Sequence, residues 1–326
     1  MNLVTGATGF VGSVLVRQLL AEGEPVRILR RSSSPLDLLG PDADRVEHAI
    51  GDVTDADAVW EATRGATRVY HVAAAVAFGR RARARLAAVN VEGTANVVNA
   101  ALDAGVERLA HTSSIAALGR PEKPGGPIDE TAAWTGARLN TAYAASKRAA
   151  EREVLRGVGE GLDAVIVNPA LVFGPGRPGG NTMALAERVA AGRVPLAPPG
   201  GTAVVDVEDV AAGLRAAMRR GATGERYVLA AENRSWTEIL TALADAFGVA
   251  PPRGVLPPPL LLAAGAAAEA WAALTRSDAG LTRETARTST HTHRYSNRRA
   301  VEGLGLTFRP FTDTAARLAE SLGRPH

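Results

Sequence analysis

The stretch TGATGFVG at residues 5–12 decides the fold of this chain. Its three glycines, Gly6, Gly9 and Gly12, follow an apolar run and precede an amphipathic stretch. Such a turn needs glycine for a tight bend, for close approach to a pyrophosphate and for close helix–strand packing. A helix that begins near Phe10 offers free N–H groups and its positive dipole end to phosphates. The loop predicts a dinucleotide site, although its GxxGxxG spacing differs from the usual GxGxxG and a purely structural turn is the alternative.

Apolar runs alternate with helical stretches over the first 170 residues. This alternation is typical of right-handed βαβ units, which build a parallel sheet with helices on both faces. We therefore predict an α/β fold with a doubly wound parallel Rossmann sheet. The predicted strands lie at residues 2–6, 26–29, 46–50, 68–73, 108–114 and 163–168.

The regular alternation ends after Pro169, where the Gly/Pro loop FGPGRPGGN (173–181) begins. The runs VVDVEDVAAGLRAAM and ERYVLA predict a return to the sheet, and the rest of the chain is helical with Pro-rich breaks at 251–259. We predict a smaller, discontinuous, mostly helical C-terminal lobe that binds substrate. The predicted boundaries are residues 1–172 and 204–230 for the nucleotide-binding domain, and 173–203 and 231–326 for the lobe.

The composition is that of a soluble globular protein, with 46% hydrophobic and 22% charged residues and a net charge of +3. We find no run of five like charges, so nucleic-acid binding is not indicated. The absence of cysteine excludes disulfides, thiol catalysis and cysteine metal sites. We expect no leader, no metal site and a cytoplasmic protein. The apolar segment 257–276 contains Glu269 and starts with three prolines, so we predict a packed helix over an apolar substrate site, not a membrane span.

The second predicted strand ends in VRILRR, which places Arg30 and Arg31 about 20 residues after the glycines. An acidic residue there would bind the ribose hydroxyls of NAD, whereas arginine accommodates the 2′-phosphate of NADP. No Asp or Glu occurs from 25 to 36. The sequence therefore predicts a preference for NADP(H) over NAD(H), with a solvated loop arginine as the alternative.

The motif YAASKRAAE (143–151) opens a long helical stretch after the fifth strand. Tyr143 and Lys147 are four residues apart, so they share one helix face. A nearby ammonium favours the phenolate and lowers a tyrosine pKa towards the working pH of an acid–base catalyst. The chain has 37 basic residues, of which only Lys123 and Lys147 are lysines, so a compact charge is used selectively here. An ordinary surface pair is the alternative.

Several further motifs occur in the order and spacing of the extended short-chain dehydrogenase/reductases. The chain resembles this superfamily over nearly its whole length, and most of all its dihydroflavonol reductase-like and hopanoid-associated sugar epimerase-like branches. The tail SNRRAVEGLGLTFRP (296–310) resembles their C-terminal segment. The motifs are TGATGFVG, GDVTD (51–55), HVAA (71–74), NVEGT (90–94), TSSIAALG (112–119), YAASK and NPALVFGPG (168–176).

The resemblance implies a role for each matching residue. Ser114 would hydrogen-bond the reacting carbonyl, Tyr143 would exchange the proton, and Lys147 would hold the nicotinamide ribose and tune the tyrosine. Asn90 would lie on the proton-relay side, or serve the structure alone. The residues expected to contact the cofactor are Gly6, Thr8, Gly9, Phe10, Val11, Gly12, Arg30, Asp52, Val53, Ala73, Ala74, Ala75, Tyr143, Lys147, Pro169, Ala170 and Val172.

Three departures from related sugar-nucleotide enzymes favour a reductase. Ile115 and Ala116 stand where dehydratases resemble one another in an Asp-Glu pair, and Thr202 stands about where an arginine clamps a diphosphate. Arg30 favours an exchangeable NADP(H). We expect hydride transfer between NADP(H) and a ketone, an aldehyde or a secondary alcohol. A sugar epimerase or isomerase and a non-catalytic NADP(H)-sensing protein are the alternatives.

The resemblance also implies a homodimer. In the family, the two long helices after the fourth and fifth strands often pair with their copies. Here they correspond to about residues 83–104 and 142–157, both rich in alanine. We expect the loops at 78–86 and 176–203 to determine which small molecule binds.

Overall fold

The structure, a computed structural model, describes residues 1–77, 82–120, 126–135, 139–275 and 282–323. The strands in these ranges are β1 (Asn2–Thr5), β2 (Val26–Arg30), β3 (Glu47–Ile50), β4 (Arg68–His71), β5 (Arg108–Thr112), β6 (Ala164–Pro169), β7 (Leu171–Phe173), β8 (Gly201–Asp206), β9 (Arg226–Leu229) and β10 (Glu232–Ser235). The helices are α1 (Phe10–Ala21), α2 (Ala56–Thr63), α3 (Arg83–Leu86), α4 (Gly93–Asp103), α5 (Ala142–Gly159), α6 (Asn181–Ala190), α7 (Val207–Arg220), α8 (Trp236–Phe247), α9 (Pro258–Thr275), α10 (Arg283–Ser289), α11 (Arg298–Leu304) and α12 (Phe311–Ser321).

Seven parallel strands form the central sheet, in the order β3-β2-β1-β4-β5-β6-β9. The chain builds outwards from β1 to β3 and then starts the other half at β4. The predicted doubly wound Rossmann sheet is therefore confirmed. In open α/β sheets, ligands bind in the crevice beyond the carboxyl ends of the strands, where the strand order reverses. That point lies between β1 and β4.

Helices cover both faces of this sheet. On one face α1 packs against α7, and Leu15 and Leu214 are fully buried in the hydrophobic cluster there. On the other face α4 packs against α2 and α5, and Val97 and Val154 are fully buried in a second cluster. Apolar side chains therefore pack on both faces of the sheet, and the loops that follow the strands extend from its carboxyl edge.

The C-terminal lobe contains a small second sheet, of order β10-β8-β7. Helices α6, α8 and α12 pack around it, and Phe173 and Phe311 meet edge to face with ring centroids 5.0 Å apart. The sequence prediction assigned residues 204–206 to the central sheet, but β8 pairs with β7 and β10. The edge of β6 is already occupied by β9. An apolar run by itself does not indicate which of two sheets it joins.

Helix α9 corresponds to the segment predicted to be a packed helix. One face packs on α10, so closely that a side chain at Gly265 would lie 2.9 Å from Ala286 Cβ. The opposite face exposes Leu260, Trp271 and Leu274, the last by 78%. The prediction of a packed helix therefore holds for one face of α9. None of the helices in the described ranges combines the length and the hydropathy that a membrane crossing needs.

Candidate active site

The glycine turn lies between β1 and α1, and two of its glycines are required by close packing. Gly6 has a φ of +70°, and a side chain there would lie 2.6 Å from the Ala73 nitrogen at the end of β4. A side chain at Gly12 would collide with the Gly6 carbonyl and lie 2.8 Å from Ala7 Cα. These contacts let the first turn of α1 sit directly against β1.

Gly9 has a different environment from the other two glycines. Of the described atoms, only the Gly6 carbonyl lies within 4 Å of where a Gly9 side chain would be. Gly9 begins α1, and no side chain caps that helix end. Its first-turn N–H groups are therefore suited to an anion, which is how such turns bind pyrophosphate. The residues in place fit the dinucleotide expected from the sequence.

The far end of the crevice carries the two predicted arginines. Arg30 Nε donates to His48 Nδ1 at 2.7 Å, and Arg30 Nη1 donates to the Arg31 carbonyl at 3.2 Å. Arg31 is 60% exposed, and its guanidinium lies 3.8 Å from the carboxylate of Asp52, a predicted adenosine contact. Arg31 and Asp52 are thus brought together, while the Arg30 side chain is held by His48. Arg31 is the more accessible cation.

The catalytic residues predicted from the sequence meet beyond the carboxyl end of β5. Thr141 caps α5 by accepting from the Ala144 nitrogen at 3.0 Å, so the helix starts just before Tyr143. A side-chain hydrogen bond joins Tyr143 to Ser114. The Lys147 ammonium is 1% exposed and donates to the Thr112 carbonyl at 2.7 Å. Helix α5 and the end of β5 therefore hold all three groups in one place.

Burial controls the pKa values of this cluster. It raises the pKa of Tyr143, and the hydrogen bond from Ser114 opposes that rise. The sequence led us to expect that Lys147 lowers the Tyr143 pKa, but burial raises it instead. Burial also lowers the pKa of Lys147 to about 8, and the charge of Glu151 opposes this effect. At neutral pH the site therefore holds a protonated phenol beside a mostly charged ammonium.

The Ser114 side chain makes two contacts. It forms the N-cap of a short 3-10 turn, Ile115–Ala117, by accepting from the Ala116 nitrogen at 3.1 Å. Its hydroxyl also hydrogen-bonds Tyr143. The bond from the Ala116 nitrogen orients the Ser114 hydroxyl towards Tyr143. The capping contact and the proposed catalytic contact are therefore compatible.

Asn90 serves the structure in the observed geometry. It lies in a π-helical turn, Ala87–Glu92, and is 1% exposed. Its side chain accepts from the Ala75 nitrogen at 2.7 Å, and donates to the Ala75 carbonyl at 3.0 Å and to Ser146 Oγ at 2.9 Å. Asn90 thereby holds the predicted cofactor-lining segment Ala73–Ala75 next to the helix that carries Tyr143.

The remaining predicted cofactor contacts lie at neighbouring strand ends. Ala170 donates its backbone N–H to the Leu229 carbonyl at 2.9 Å, and the Val172 carbonyl accepts from Thr182 Oγ1 at 2.7 Å. Pro169 is the last residue of β6. Val53 is anchored by a hydrogen bond from Asn96 to its carbonyl. Of the substrate loop predicted at 78–86, residues 78–81 lie outside the described ranges.

The sequence interpretation missed a buried polar cluster beneath the catalytic residues. Its centre is Glu151, which is fully buried and accepts hydrogen bonds from Ser113 and Asn168. The sequence feature that could have indicated this cluster is the spacing of Tyr143, Lys147 and Glu151. They lie four residues apart and therefore share one face of the helix. A carboxylate in an arginine-rich helix offers no other sign of burial.

Comparison with known proteins agrees with this geometry. The model of the NAD dependent epimerase/dehydratase family matches residues 2–230, and the chain belongs to that family. Sterol demethylase protein B of Methylococcus capsulatus is 39% identical over 266 residues, 80% of this chain and 78% of that protein. A dihydroflavonol 4-reductase-like protein of Synechocystis is 38% identical over 262 residues, 78% and 74% of the two chains.

Among solved structures, gox2253 matches with a TM-score of 0.85 at 34% identity, covering 99% of this chain and 98% of the other. The predicted membership of the extended short-chain dehydrogenase/reductase superfamily is confirmed. The chain is an oxidoreductase-type member of its family, with reductases and dehydrogenases among its relatives and epimerases and dehydratases among its structural neighbours.

Proposed function

We propose that this protein is an NADP(H)-dependent carbonyl reductase that uses Ser114, Tyr143 and Lys147. The observation that carries the proposal is the hydrogen bond between Ser114 and Tyr143 at the carboxyl end of β5. It supports two groups acting on one carbonyl oxygen. The direction is supported by the raised pKa of Tyr143, because a neutral phenol has a proton to donate.

The residues divide the chemistry as follows. NADP(H), when bound, supplies or accepts the hydride. Ser114 donates a hydrogen bond that polarises the substrate carbonyl, and Tyr143 delivers the proton to its oxygen. Lys147 presents a charged donor to the nicotinamide ribose. Gly9 and the first turn of α1 bind the phosphates.

Side chains next to Ser114 favour this reaction over water elimination. Ile115 and Ala116 are each 7% exposed, and neither can act as acid or base. A dehydratase would need a carboxylate near the reacting carbon, whereas Glu151 is fully buried among hydrogen-bond donors. A reduction needs only the Ser114 and Tyr143 hydroxyls.

The NADP(H) preference rests on charge at the adenosine end. Arg30 and Arg31 flank the place where the ribose 2′-phosphate would lie, and guanidinium groups bind phosphate in a bidentate manner. Arg31 is free to turn towards a phosphate because its ion pair with Asp52 is long, at 3.8 Å. We expect the double variant Arg30→Asp, Arg31→Ser to favour NADH. Equal use of both cofactors by the unmodified protein would contradict the assignment.

The substrate class is proposed to be an apolar ketone. The names of two relatives refer to a sterol and a dihydroflavonol. A cleft in this chain runs between residues 139–141, just before the catalytic helix, and the helix α10 residues Glu284, Arg287 and Thr288. The alanine-rich helix α9 packs behind α10. The names of these relatives support a substrate with a rigid apolar body, whereas the small cleft beside Thr141 is lined mostly by polar side chains.

The test follows NADPH oxidation with a panel of steroid, flavonoid and long-chain ketones. Tyr143→Phe should reduce turnover by ~10²–10⁴-fold, since a general acid contributes that much. It should leave NADPH binding within a few-fold of the unmodified protein. Tyr70→Phe is the matched control, because Tyr70 is buried in β4 and loses the same hydroxyl. Unchanged turnover in Tyr143→Phe would refute the proposed mechanism.

We also propose a homodimer formed through α4 and α5. Leu155 on α5 is a 38% exposed apolar side chain on that surface. Exposed leucines at helix interfaces supply apolar area to association. Light scattering of the unmodified protein at micromolar concentration should give the mass of two chains. Leu155→Arg should shift the mass towards one chain, and a monomeric unmodified protein would contradict the proposal.

A further inference from the structure

A buried carboxylate lies one helical turn beyond the catalytic lysine. Glu151 is 0% exposed. Its Oε1 accepts from Ser113 Oγ at 2.7 Å and from Asn168 Nδ2 at 2.6 Å. Its Oε2 faces the guanidinium of Arg148 at 3.2 Å and that of Arg226 at 3.4 Å. An unpaired buried carboxylate would be very costly, and these four donors compensate that cost.

These donors tie Glu151 directly to the active-site loop. The Asn168 amide that donates to Glu151 also donates to the Ser114 carbonyl at 3.0 Å. The Ser113 hydroxyl, one residue earlier, donates to the same carboxylate oxygen. Glu151 therefore holds the ends of β5 and β6 together at the point where Ser114 turns its hydroxyl towards Tyr143.

The same residue shares a helix face with the catalytic pair. Tyr143, Lys147 and Glu151 follow one another at intervals of four along α5. We propose that Glu151 is a positioning residue, whose carboxylate fixes the Ser114 backbone and holds it in register with the Tyr143–Lys147 face. The inference rests on the proposed function only where it predicts an effect of Glu151 on turnover.

The charge of Glu151 has a second consequence, for Lys147. Burial lowers the pKa of Lys147, and Glu151 is the one group that counteracts it in the described surroundings. The other titratable groups near Lys147 are Tyr143, whose pKa burial raises, and His71 on β4 and His111 on β5, whose pKa values burial lowers, so that all three are neutral at neutral pH. Glu151 thus helps to keep the ammonium charged at neutral pH.

On its other side, Glu151 is the carboxylate with which Arg226 and Arg148 form ion pairs. Arg226 also donates to the Glu130 backbone carbonyl, and the Glu130 carboxylate accepts from the Val228 nitrogen at 2.8 Å. Arg148 lies on α5 itself and is 28% exposed.

The first experiment measures the Lys147 pKa without any turnover. The chain has two lysines, so selective labelling of lysine Cε with ¹³C yields two resonances, and Lys123→Arg assigns them. We expect the pH midpoint of the Lys147 resonance to fall by about one unit in Glu151→Gln, because a nearby opposite charge is lost. Glu153→Gln is the matched control on the same helix, with a partly exposed carboxylate paired to Arg156, and should leave the midpoint unchanged.

The second experiment uses turnover and separates position from charge. Glu151→Gln should lower kcat at least tenfold and move the alkaline limb of NADPH-dependent reduction to lower pH. Glu151→Asp keeps the charge but shortens the reach, so it should lower kcat while the Lys147 midpoint stays near that of the unmodified protein. If Glu151→Gln does not fold, Ser113→Ala removes one contact and should lower kcat about threefold to tenfold with unchanged NADPH affinity.

The outcomes distinguish the two proposals. If no ketone is reduced by the unmodified protein, the proposed function fails, while the shift of the Lys147 resonance still tests Glu151. An unshifted Lys147 midpoint in Glu151→Gln, or wild-type kcat in both Glu151→Asp and Ser113→Ala, would overturn the assignment of Glu151 as a positioning residue.

Discussion

Lys147→Arg is the sharpest test of the site, because it keeps the positive charge and changes only shape. Lys147 is 1% exposed, and its ammonium donates to the Thr112 carbonyl at 2.7 Å. Arginine has a longer, planar head with five N–H donors, whereas lysine has a compact head with three. If the position needs only charge, arginine should work, since this chain uses arginine at nearly every other basic position.

The magnitude follows from the surroundings of Lys147. Enlarging a side chain in a packed interior costs about 1–3 kcal/mol, and each buried donor left unpaired costs about 1–3 kcal/mol. Neutral His71 and His111 lie nearby, and neither ring nitrogen of His111 has a partner among the described residues. We therefore expect a loss of roughly 2–5 kcal/mol in unfolding free energy. Because the guanidinium cannot occupy the place of the lysine ammonium, turnover should slow at least tenfold. This corresponds to about 1.4 kcal/mol in the activation barrier.

Two assays check this prediction. Urea unfolding at pH 7 measures the stability, and steady-state NADPH oxidation measures kcat. The control is Lys123→Arg, which makes the same change at the other lysine and should leave kcat unaltered. If the Lys147→Arg protein has normal kcat and normal stability, the site does not require the compact ammonium of lysine. That result would refute the reasoning.

Three other changes test different parts of the molecule. Gly12→Ala places a methyl group against the backbone of the glycine turn, so NADPH affinity measured by fluorescence should fall at least tenfold (about 1.4 kcal/mol), and unchanged affinity would contradict the packing argument. Burial holds the pKa of His71 at about 3 and that of His111 well below its usual range. The unfolded chain then binds more protons below about pH 6.5, and lowering the pH from 7 to 5 should cost about 2 kcal/mol per histidine. In urea melts, His111→Asn should remove about half of the combined loss that the two histidines cause. Equal stability of the unmodified protein at pH 7 and pH 5 would refute this explanation. Arg177 and Asp37 form a two-pronged ion pair, with distances of 3.0 and 2.5 Å, and the neighbouring Gly176 lies against Phe10, the first residue of α1 after the glycine turn. Arg177→Ala should leave stability within about 1 kcal/mol because the pair is exposed, but should speed NADPH release several-fold in stopped-flow experiments, and an unaltered release rate would exclude a role for the pair.

Much of the central sheet, and the residues that meet in the candidate site, could be predicted from the sequence alone. The six strand runs are short and apolar, and the glycine turn, Tyr143 and Lys147 belong to local patterns in which spacing dictates which side chains share a face. Such patterns depend on contacts within one strand–turn–helix unit. These patterns can therefore be recognised in the sequence without knowledge of the rest of the fold.

Other features depend on contacts between distant parts of the chain, which no local pattern records. Strand β8 joined the small sheet because β9 occupies the edge of β6. The Tyr143 pKa rises because burial outweighs the hydrogen bond from Ser114, and the sequence shows a neighbour at four residues but not the depth of burial.

Glu151 illustrates the same limit most directly. In the sequence it is one carboxylate in a run of arginines, and its spacing alone does not distinguish a solvated face from a buried one. Its partners Ser113, Asn168 and Arg226 come from three other segments, 17 to 75 residues away. Sequence determined the type of fold and the side chains that we propose to react, since both predictions arise from local geometry. Tertiary packing alone decided which charge is buried, what compensates it and how firmly Ser114 is held, because desolvation depends on everything that surrounds a group.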